Sequence, residues 1–266
     1  MNQAVRNSRI EEVAKPAWAL ETKLYVPVRD KEIVFGFPAF GPNTYAEAVK
    51  QVLGNGQRLP TGEQTAFMLD EAYNSNVPEV KNSARAKSVR TNIMRNGWLW
   101  VPQVNVWTPK TANSGMYSVY DKEGNGLGKV IDTNELEDRL SGGSIERGVR
   151  FSQDRSVAFA PLNTIRAGTH NKGTLAQDGA YIANYGVEGA EKIDKVASGF
   201  NFNPYSWIVD NNSGNNIQSL SALLRIWLLD GDRLLAGFDS YGGGRLGYVV
   251  SVSGSDSSAE GTAPKK

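Results

Sequence analysis

The chain has 266 residues, with 29 basic and 28 acidic side chains and a formal charge of +1, so no overall field draws it to nucleic acid or to a membrane surface. It has no cysteine, which removes disulfides, thiolate nucleophiles and thiolate zinc sites, and it has one histidine, His170. No apolar run approaches the roughly 20 residues of a membrane span, and no basic, apolar, small-residue series marks a cleaved signal, so presentation on a virion or outside a cell would use another route.

Residues 1–20 are polar with mixed charge and read as an N-terminal arm. From 21 to 253 no linker or repeat divides the chain, which reads as one domain. "ETKLYVPVRDKEIVFGF" (21–37) alternates as two strands about a turn at Arg29-Asp30. A helix over 44–53 follows, with Asn43 or Thr44 as cap and Gly54-Asn55-Gly56 as stop. The next helix, 61–73, has Thr61 as N-cap and Gln64 three residues on, a capping box.

The stretch 74–96 carries Lys81, Arg85, Lys87, Arg90 and Arg95 without interleaved aromatics, and reads as a solvated face rather than a nucleic-acid surface. "GWLWVPQVNVW" (97–107) reads as a strand with an edge or bend at Pro102. Residues 116–132 read as a hairpin turning at Glu123-Gly124-Asn125-Gly126. A capped helix is expected over 133–140, a strand over 157–162, and two short helices about Gly186 within 173–198. "GYVVSVS" is a strand, and 254–266, lacking core-forming side chains, is expected to be a disordered tail.

Several motifs with a chemical look lack their context. "GGGRLG" (242–247) matches G-x-G-x-x-G, but a strand follows where a dinucleotide fold needs a helix. "DNNSGNN" (210–216) lacks the glycine and closing glutamate of a calcium loop. His170, in "RAGTHNKGT", reads as a solvated loop residue, with no nucleophile elbow to serve. No carboxylate pair has a spacing that suggests a site, and neither a metal nor a cofactor is expected.

Gly56 and Arg58-Leu59-Pro60-Thr61, running into a helix, resemble the G-x-R-L-P-T lead-in to the main helix of formylglycine-generating-enzyme-like C-type lectin folds. The closing "ALLRIWLLDGDRLLAG…GGRLGYVVSV" is similar to the end of that family, with Arg225 and Gly247-Tyr248-Val249-Val250 as matching elements. The resemblance spans residues 56–252 and implies an α+β, C-type lectin-like fold with short helices, small antiparallel sheets and long loops. The enzyme branch of the family depends on cysteines, and its sugar-binding members on Glu-Pro-Asn or Gln-Pro-Asp calcium motifs, all of which are missing here. What remains looks most like the variable proteins of diversity-generating retroelements, of archaeal or viral type, which display mutable residues near the C-terminus.

Adenine-directed mutation of AAC or AAT codons never yields Lys, Glu, Gln, Met or Trp. Those residues number 47 in the chain, so about six are expected in a 33-residue window. Residues 219–251 contain one, Trp227. Burial of strands accounts for part of that depletion. "RIWLLDGDRLLAGFDSYGGG" sets Leu, Phe and Tyr beside Asp and Gly with no clean period, and "NPYSWIVDNN" (203–212) has the same character.

The resulting expectation is a non-enzymatic protein that binds a protein or cell-surface polymer through a region about 203–250. The expected contact residues are Tyr205, Ser206, Asp210, Asn211, Leu228, Leu229, Asp230, Asp232, Leu235, Phe238, Asp239, Ser240, Tyr241 and Arg245. Arg58, Leu59, Pro60, Thr61, Arg225, Trp227, Gly247 and Tyr248 are expected to be scaffold, with Leu234, Ile226 and Leu246 in the core. Two alternatives stand beside it: a virion or tail structural protein using the same surface for subunit contacts, and an enzyme using carboxylates, whose sign would be two buried acids facing one pocket.

Overall fold

The computed structural model describes residues 9–12, 22–111, 114–240 and 246–253. Its strands are β1 (Arg9–Glu12), β2 (Thr22–Val28), β3 (Lys31–Asn43), β4 (Trp98–Trp107), β5 (Gly115–Tyr120), β6 (Ser144–Glu146), β7 (Val149–Phe151), β8 (Val157–Pro161), β9 (Gly168–Thr169), β10 (Tyr205–Trp207), β11 (Ile217–Leu228), β12 (Gly231–Ser240) and β13 (Gly247–Val252). The principal helices are α1 (Tyr45–Gly54), α2 (Gly62–Asn74), α3 (Pro78–Lys81), α4 (Ala84–Ser88), α5 (Met94–Asn96), α6 (Thr133–Leu140) and α7 (Gly179–Ser198). Mixed helix and sheet of this kind is an α+β architecture. Rather than small separate antiparallel sheets, the strands form one connected sheet, with two parallel pairings, β13 on β4 and β10 on β12.

Local chemistry explains most boundaries. Arg29-Asp30 closes the β2–β3 hairpin, with Arg29 in the left-handed region at φ 55°. Thr44 and Glu47 cap α1 reciprocally, and Thr61 and Gln64 cap α2 in the same way, each satisfying helix N–H groups that have no intrahelical partner. In α7, Asp178 caps the first turn and Gly186, at φ 71°, breaks the helix into the two expected segments. Pro102 produces a bulge rather than an edge: β4 lies inside the sheet, and its register against β11 shifts between Val101 and Val104.

Two expectations along the chain fail for identifiable reasons. Residues 116–132 do not form a hairpin. After β5 the Asp121 carboxylate takes the backbone N–H of Asn125 (2.8 Å) and Gly126 (2.7 Å) and the Tyr45 hydroxyl (2.8 Å), which curls the chain into a short 3₁₀ turn while β5 pairs with β4 and β8. The segment 74–96 is only half solvated, because Val80, Ala86, Val89, Ile93 and Met94 are buried, while Arg90 donates to the carbonyls of Ala72 and Lys81.

Two of the three hydrophobic clusters among the described residues lie on opposite faces of the sheet. On one face α2 and α7 bury Met68, Leu69, Ile182 and Ile193 against Leu99, Val101, Leu223, Leu234 and Phe238. On the other, α1 sets Tyr45, Ala48, Val49 and Val52 against Trp100, Val104, Leu220 and Val249. Each large side chain so buried contributes about 1.5–3 kcal/mol of transfer free energy. Strand β13 runs between β3 and β4, joining the two ends of the domain. Arg58 exchanges backbone hydrogen bonds with Val252 (3.1 and 2.9 Å), Leu59 is buried, and the Tyr120 hydroxyl donates to its carbonyl at 2.6 Å. The Arg58-to-Thr61 corner is therefore fixed to the closing strand and to the sheet at once.

Candidate functional site

The hairpin β11–β12 organises the region expected to bind. It turns at Leu229-Asp230, and its strands pair regularly over Ala222–Leu228 and Gly231–Gly237. Side chains alternate along a strand, so Ala222, Leu224, Ile226 and Leu228 share one face. Cross-strand partners place Leu235 beside Leu224 and Gly237 beside Ala222, while β10, parallel to β12, adds Tyr205 beside Leu235 and Trp207 beside Gly237. This face belongs to the side that α1 covers, yet the α1 core reaches only as far as Ala222 and Leu224. Among the described residues the remainder is an uncovered aromatic and aliphatic surface. The Trp207 ring lies 6.1 Å from that of Trp98 and 5.5 Å from that of Tyr205. The row from Trp207 through Gly237 and Ala222 leads to Trp100, so Trp207 reaches Trp98 on the diagonal, over the small residues Gly237 and Ala222. Trp207 is 36% exposed and Leu246, next to Trp98, is 55% exposed.

The opposite face of the same strands is core, and it takes several of the residues expected at the surface. Phe238 is fully buried, its ring packed edge-on against Tyr181 at 5.1 Å. Ser206 is buried and shares a hydrogen bond with the Tyr181 hydroxyl at 2.8 Å. Asp232 is buried, paired with Arg225 and accepting the Asn201 N–H at 3.2 Å. Asn211 is buried and donates to the carbonyls of Trp107 (2.8 Å) and Asn215 (2.9 Å), so it builds the loop rather than contacting a ligand. Leu235 lies on the open face but is itself buried.

Of the remaining expected contacts, Tyr205 and Leu228 are half-buried on the open face, and Leu229 and Asp230 are exposed at the turn. Asp210 is exposed and paired with Lys110. Asp239 and Ser240 end β12, and Tyr241 and Arg245 lie outside the described residues.

The residues expected to be scaffold divide between interior and surface. Leu59, Pro60 and Gly247 are buried, Thr61 caps α2, and a Cβ on Gly247 would meet the Trp98 carbonyl oxygen at 2.4 Å. Trp227 is a correction: it is 56% exposed at the end of β11, with the Arg95 and Arg225 guanidinium groups 5.6 and 5.8 Å from its ring centre. Leu246 and Ile226 are corrections of the same kind, exposed and half-buried where core was expected, whereas Leu234 is fully buried. The residues missed from sequence are Trp207 and, beside it, Leu224. A Trp and a half-buried Leu in apolar strands look like core until the helices covering the sheet are placed.

His170, expected in solvent, is buried, with its ring edge-on to Tyr181 at 5.8 Å. Its Nδ1 stands 4.0 Å from Asp178 Oδ2, and its Nε2 has no hydrogen-bond partner among the described residues. Burial, together with the charge of Arg166, pushes the imidazole down to about 4. Burial pushes Asp178 up to about 6, against the backbone N–H groups of Arg166 and Ala180 that it accepts. Asp194 is also raised by burial, while accepting the Gly173 N–H at 3.1 Å. Asp178 and Asp194 do not face a shared cavity among those the described residues line.

The two shifts have opposite signs in pH. His170 is lowered in the fold, so its contribution is complete above about 6.5 and is lost as pH falls towards 4. Asp178 is raised, so its contribution is complete below about 3.9 and is lost as pH rises through 6. In urea titrations the stability advantage of the wild type over His170→Asn is expected to shrink from pH 6.5 to 4, and that over Asp178→Asn to shrink from pH 4 to 6. Parallel curves would show that neither group changes its proton affinity on folding.

Among the described residues no group of three or more His, Asp or Glu side chains is arranged to hold a metal ion, and no helix is long and apolar enough to cross a membrane. No protein-family model, curated protein or solved structure matches the chain.

Proposed function

We propose that this protein is a non-enzymatic binding module that recognises a macromolecular ligand, a protein or a cell-surface polymer, through the open face of β10, β12 and β11. The observation that carries the reading is the Trp207–Tyr205 aromatic pair, backed by the buried Trp98 and continuous with Leu228 and the exposed Leu246, on the part of this sheet face that lies beyond the α1 core. Aromatic side chains of this kind supply large contact areas at low conformational cost and dominate protein interfaces. Rigid strands hold them, while the Leu229-Asp230 turn stands fully exposed beside them and is free to vary.

The scaffold is proposed to be C-type lectin-like and the module a diversified receptor-recognition protein, displayed on a virion or cell surface. Supporting that are the Arg58-to-Thr61 corner bound to the closing strand and the pairing of β3 with β13 near the two ends of the domain. The depletion of Lys, Glu, Gln and Met over 219–251 carries less weight, because Ser219 to Leu223 are buried on both faces and exclude those residues for packing reasons.

The test is to sequence codons 200–250 from many members of one natural population. Adenine-templated substitutions are expected at outward positions such as Tyr205, Leu228, Leu229 and Asp230. Ser206, Leu223, Leu234 and Phe238 are expected to stay constant, and so is Trp207, because that codon is unreachable. Uniform sequence, or variation spread evenly over buried and exposed positions, overturns the diversified reading.

A further inference from the structure

Among the described residues, the paired stretches of β10, β11 and β12 set one charged side chain on the open face, Arg233. It stands directly opposite Ile226, between the Leu224–Leu235 and Leu228–Gly231 pairs. Residues directly opposite on an antiparallel pair share a face, so Arg233 points the same way as Leu224, Ile226 and Leu228. Its guanidinium lies over the ring of Phe202, just ahead of β10, 5.7 Å from the centroid. Tyr205 and Trp207 follow on β10 itself.

Arg233 has no counter-charge. It forms no ion pair with a described residue, whereas Arg29, Arg139, Arg147, Arg150, Arg155 and Arg225 each hold a carboxylate. Its Nε is sealed from solvent and makes no hydrogen bond. The two Nη groups find no partner among the described residues either, but they are not sealed, since the side chain is half-buried and Nε is its only enclosed nitrogen. Enclosed polar groups in native proteins are satisfied with few exceptions, so a guanidinium left this way is a signal.

The opposite face of the same hairpin shows the finished arrangement. There Arg225 lies over the ring of Phe200, 5.3 Å from the centroid, and pairs with the buried Asp232. Arg233 has the matching ring in Phe202 and lacks the acid.

We propose that the partner of this face is a protein segment presenting an Asp or Glu carboxylate flanked by apolar side chains. The inference rests on the reading of the face as a binding surface and narrows its ligand to protein. The carboxylate takes the two Nη groups of Arg233 as a bidentate pair, the geometry in which a guanidinium holds a planar acid most firmly. The flanking apolar groups cover Tyr205, Trp207 and Leu228, and the water they exclude strengthens the pair. A polyanionic polymer fits less well. One guanidinium is not a basic track, and the exposed Asp230 at the adjoining turn repels a run of like charges.

The experiment selects random linear peptides displayed on phage against the folded full chain, then titrates enriched peptides by fluorescence anisotropy. Enriched peptides are expected to carry Asp or Glu beside Leu, Phe, Tyr or Trp, and to weaken in Trp207→Ala. Arg233→Gln is expected to raise their Kd by about 10-fold or more, the worth of a hydrogen-bonded charge. Replacing the peptide's acid by its amide should cost as much in the wild type and nothing further in Arg233→Gln, as holds for two groups in contact. Arg233→Lys, which keeps the charge without the fork, should fall between. Arg233 pairs with no acid in the fold, so Arg233→Gln should stay folded, which its thermal melt checks. Enrichment of basic or uncharged peptides, or additive losses from the two substitutions, overturns the proposal; if those peptides still weaken in Trp207→Ala, the face stands as a binding surface. Acidic peptides indifferent to both Arg233→Gln and Trp207→Ala bind elsewhere and overturn both readings, as does a selection that enriches nothing while alginate, a carboxylated polysaccharide, also fails to bind. Arg233-dependent binding of alginate without any enriched peptide assigns the face to a polymer and overturns the protein partner alone.

Discussion

Replacing Gly62 with Ala is expected to destabilise the protein by about 3 kcal/mol or more, lowering Tm by on the order of 6–12 °C for a domain of this size. The reason is steric. The added methyl would sit 1.8 Å from the backbone carbonyl oxygen of Asn184, a group that cannot rotate away as a side-chain tip can. Asn184 is also held: its Nδ2 donates to the Ala180 carbonyl and its Oδ1 accepts from Ser221, which in turn accepts from Asn105 at 2.8 Å. Accommodating the methyl therefore means moving the start of α2 away from α7 and opening the contact between the two helices. Thermal melts of wild type and variant decide the matter. A loss below about 0.5 kcal/mol would show that α2 and α7 slide past one another freely.

Phe238→Ala is expected to cost about 3–5 kcal/mol, the usual loss for emptying a buried phenyl site. The sequence reading pointed the other way, to a ligand-contact residue. Phe238 packs edge-on to Tyr181 in the α2–α7 core, and its backbone carbonyl accepts from Ser219 and, at 3.2 Å, from Trp107 Nε1. Those backbone bonds survive the substitution, so the loss reads out packing alone. Urea titrations with an unchanged m-value and a lowered midpoint are the expected result. Wild-type stability in Phe238→Ala would return that residue to the ligand surface and would reverse the assignment of the two faces of β12.

Both predictions turn on where local sequence stops being informative. Chemistry written within a few residues was legible: a cap at Asn43 or Thr44, the Thr61 capping box, the Arg29-Asp30 turn, the break at Gly186, a bend at Pro102 and the helix over 133–140 all reside in neighbouring side chains and backbone angles. The buried Leu59 and the bridge from Arg58 to Val252 follow the same corner motif.

The hairpin β11–β12 was not legible as a regular element. Leu220 to Leu223 are buried from both faces, so the alternation that marks a half-exposed strand disappears. The 116–132 hairpin was misread because Asp121 competes with the strand ladder for backbone N–H groups, aided by a Tyr45 hydroxyl 76 residues away.

By itself, then, the sequence determined the absence of thiol chemistry, the near-zero charge, and the caps and turns, and it pointed to 203–250 as the region proposed to bind. Only the tertiary structure decided which face of that region is available. A strand offers both of its faces equally, and the choice between Trp207 outside and Ser206 inside was made by α7, whose Tyr181 takes the Ser206 hydroxyl. The same holds for a cavity beside Gly62 and Gly186. Its walls come from segments of the chain between residues 28 and 186, brought together by burying α2 against α7, and no local pattern in any one of them marks the place where they meet.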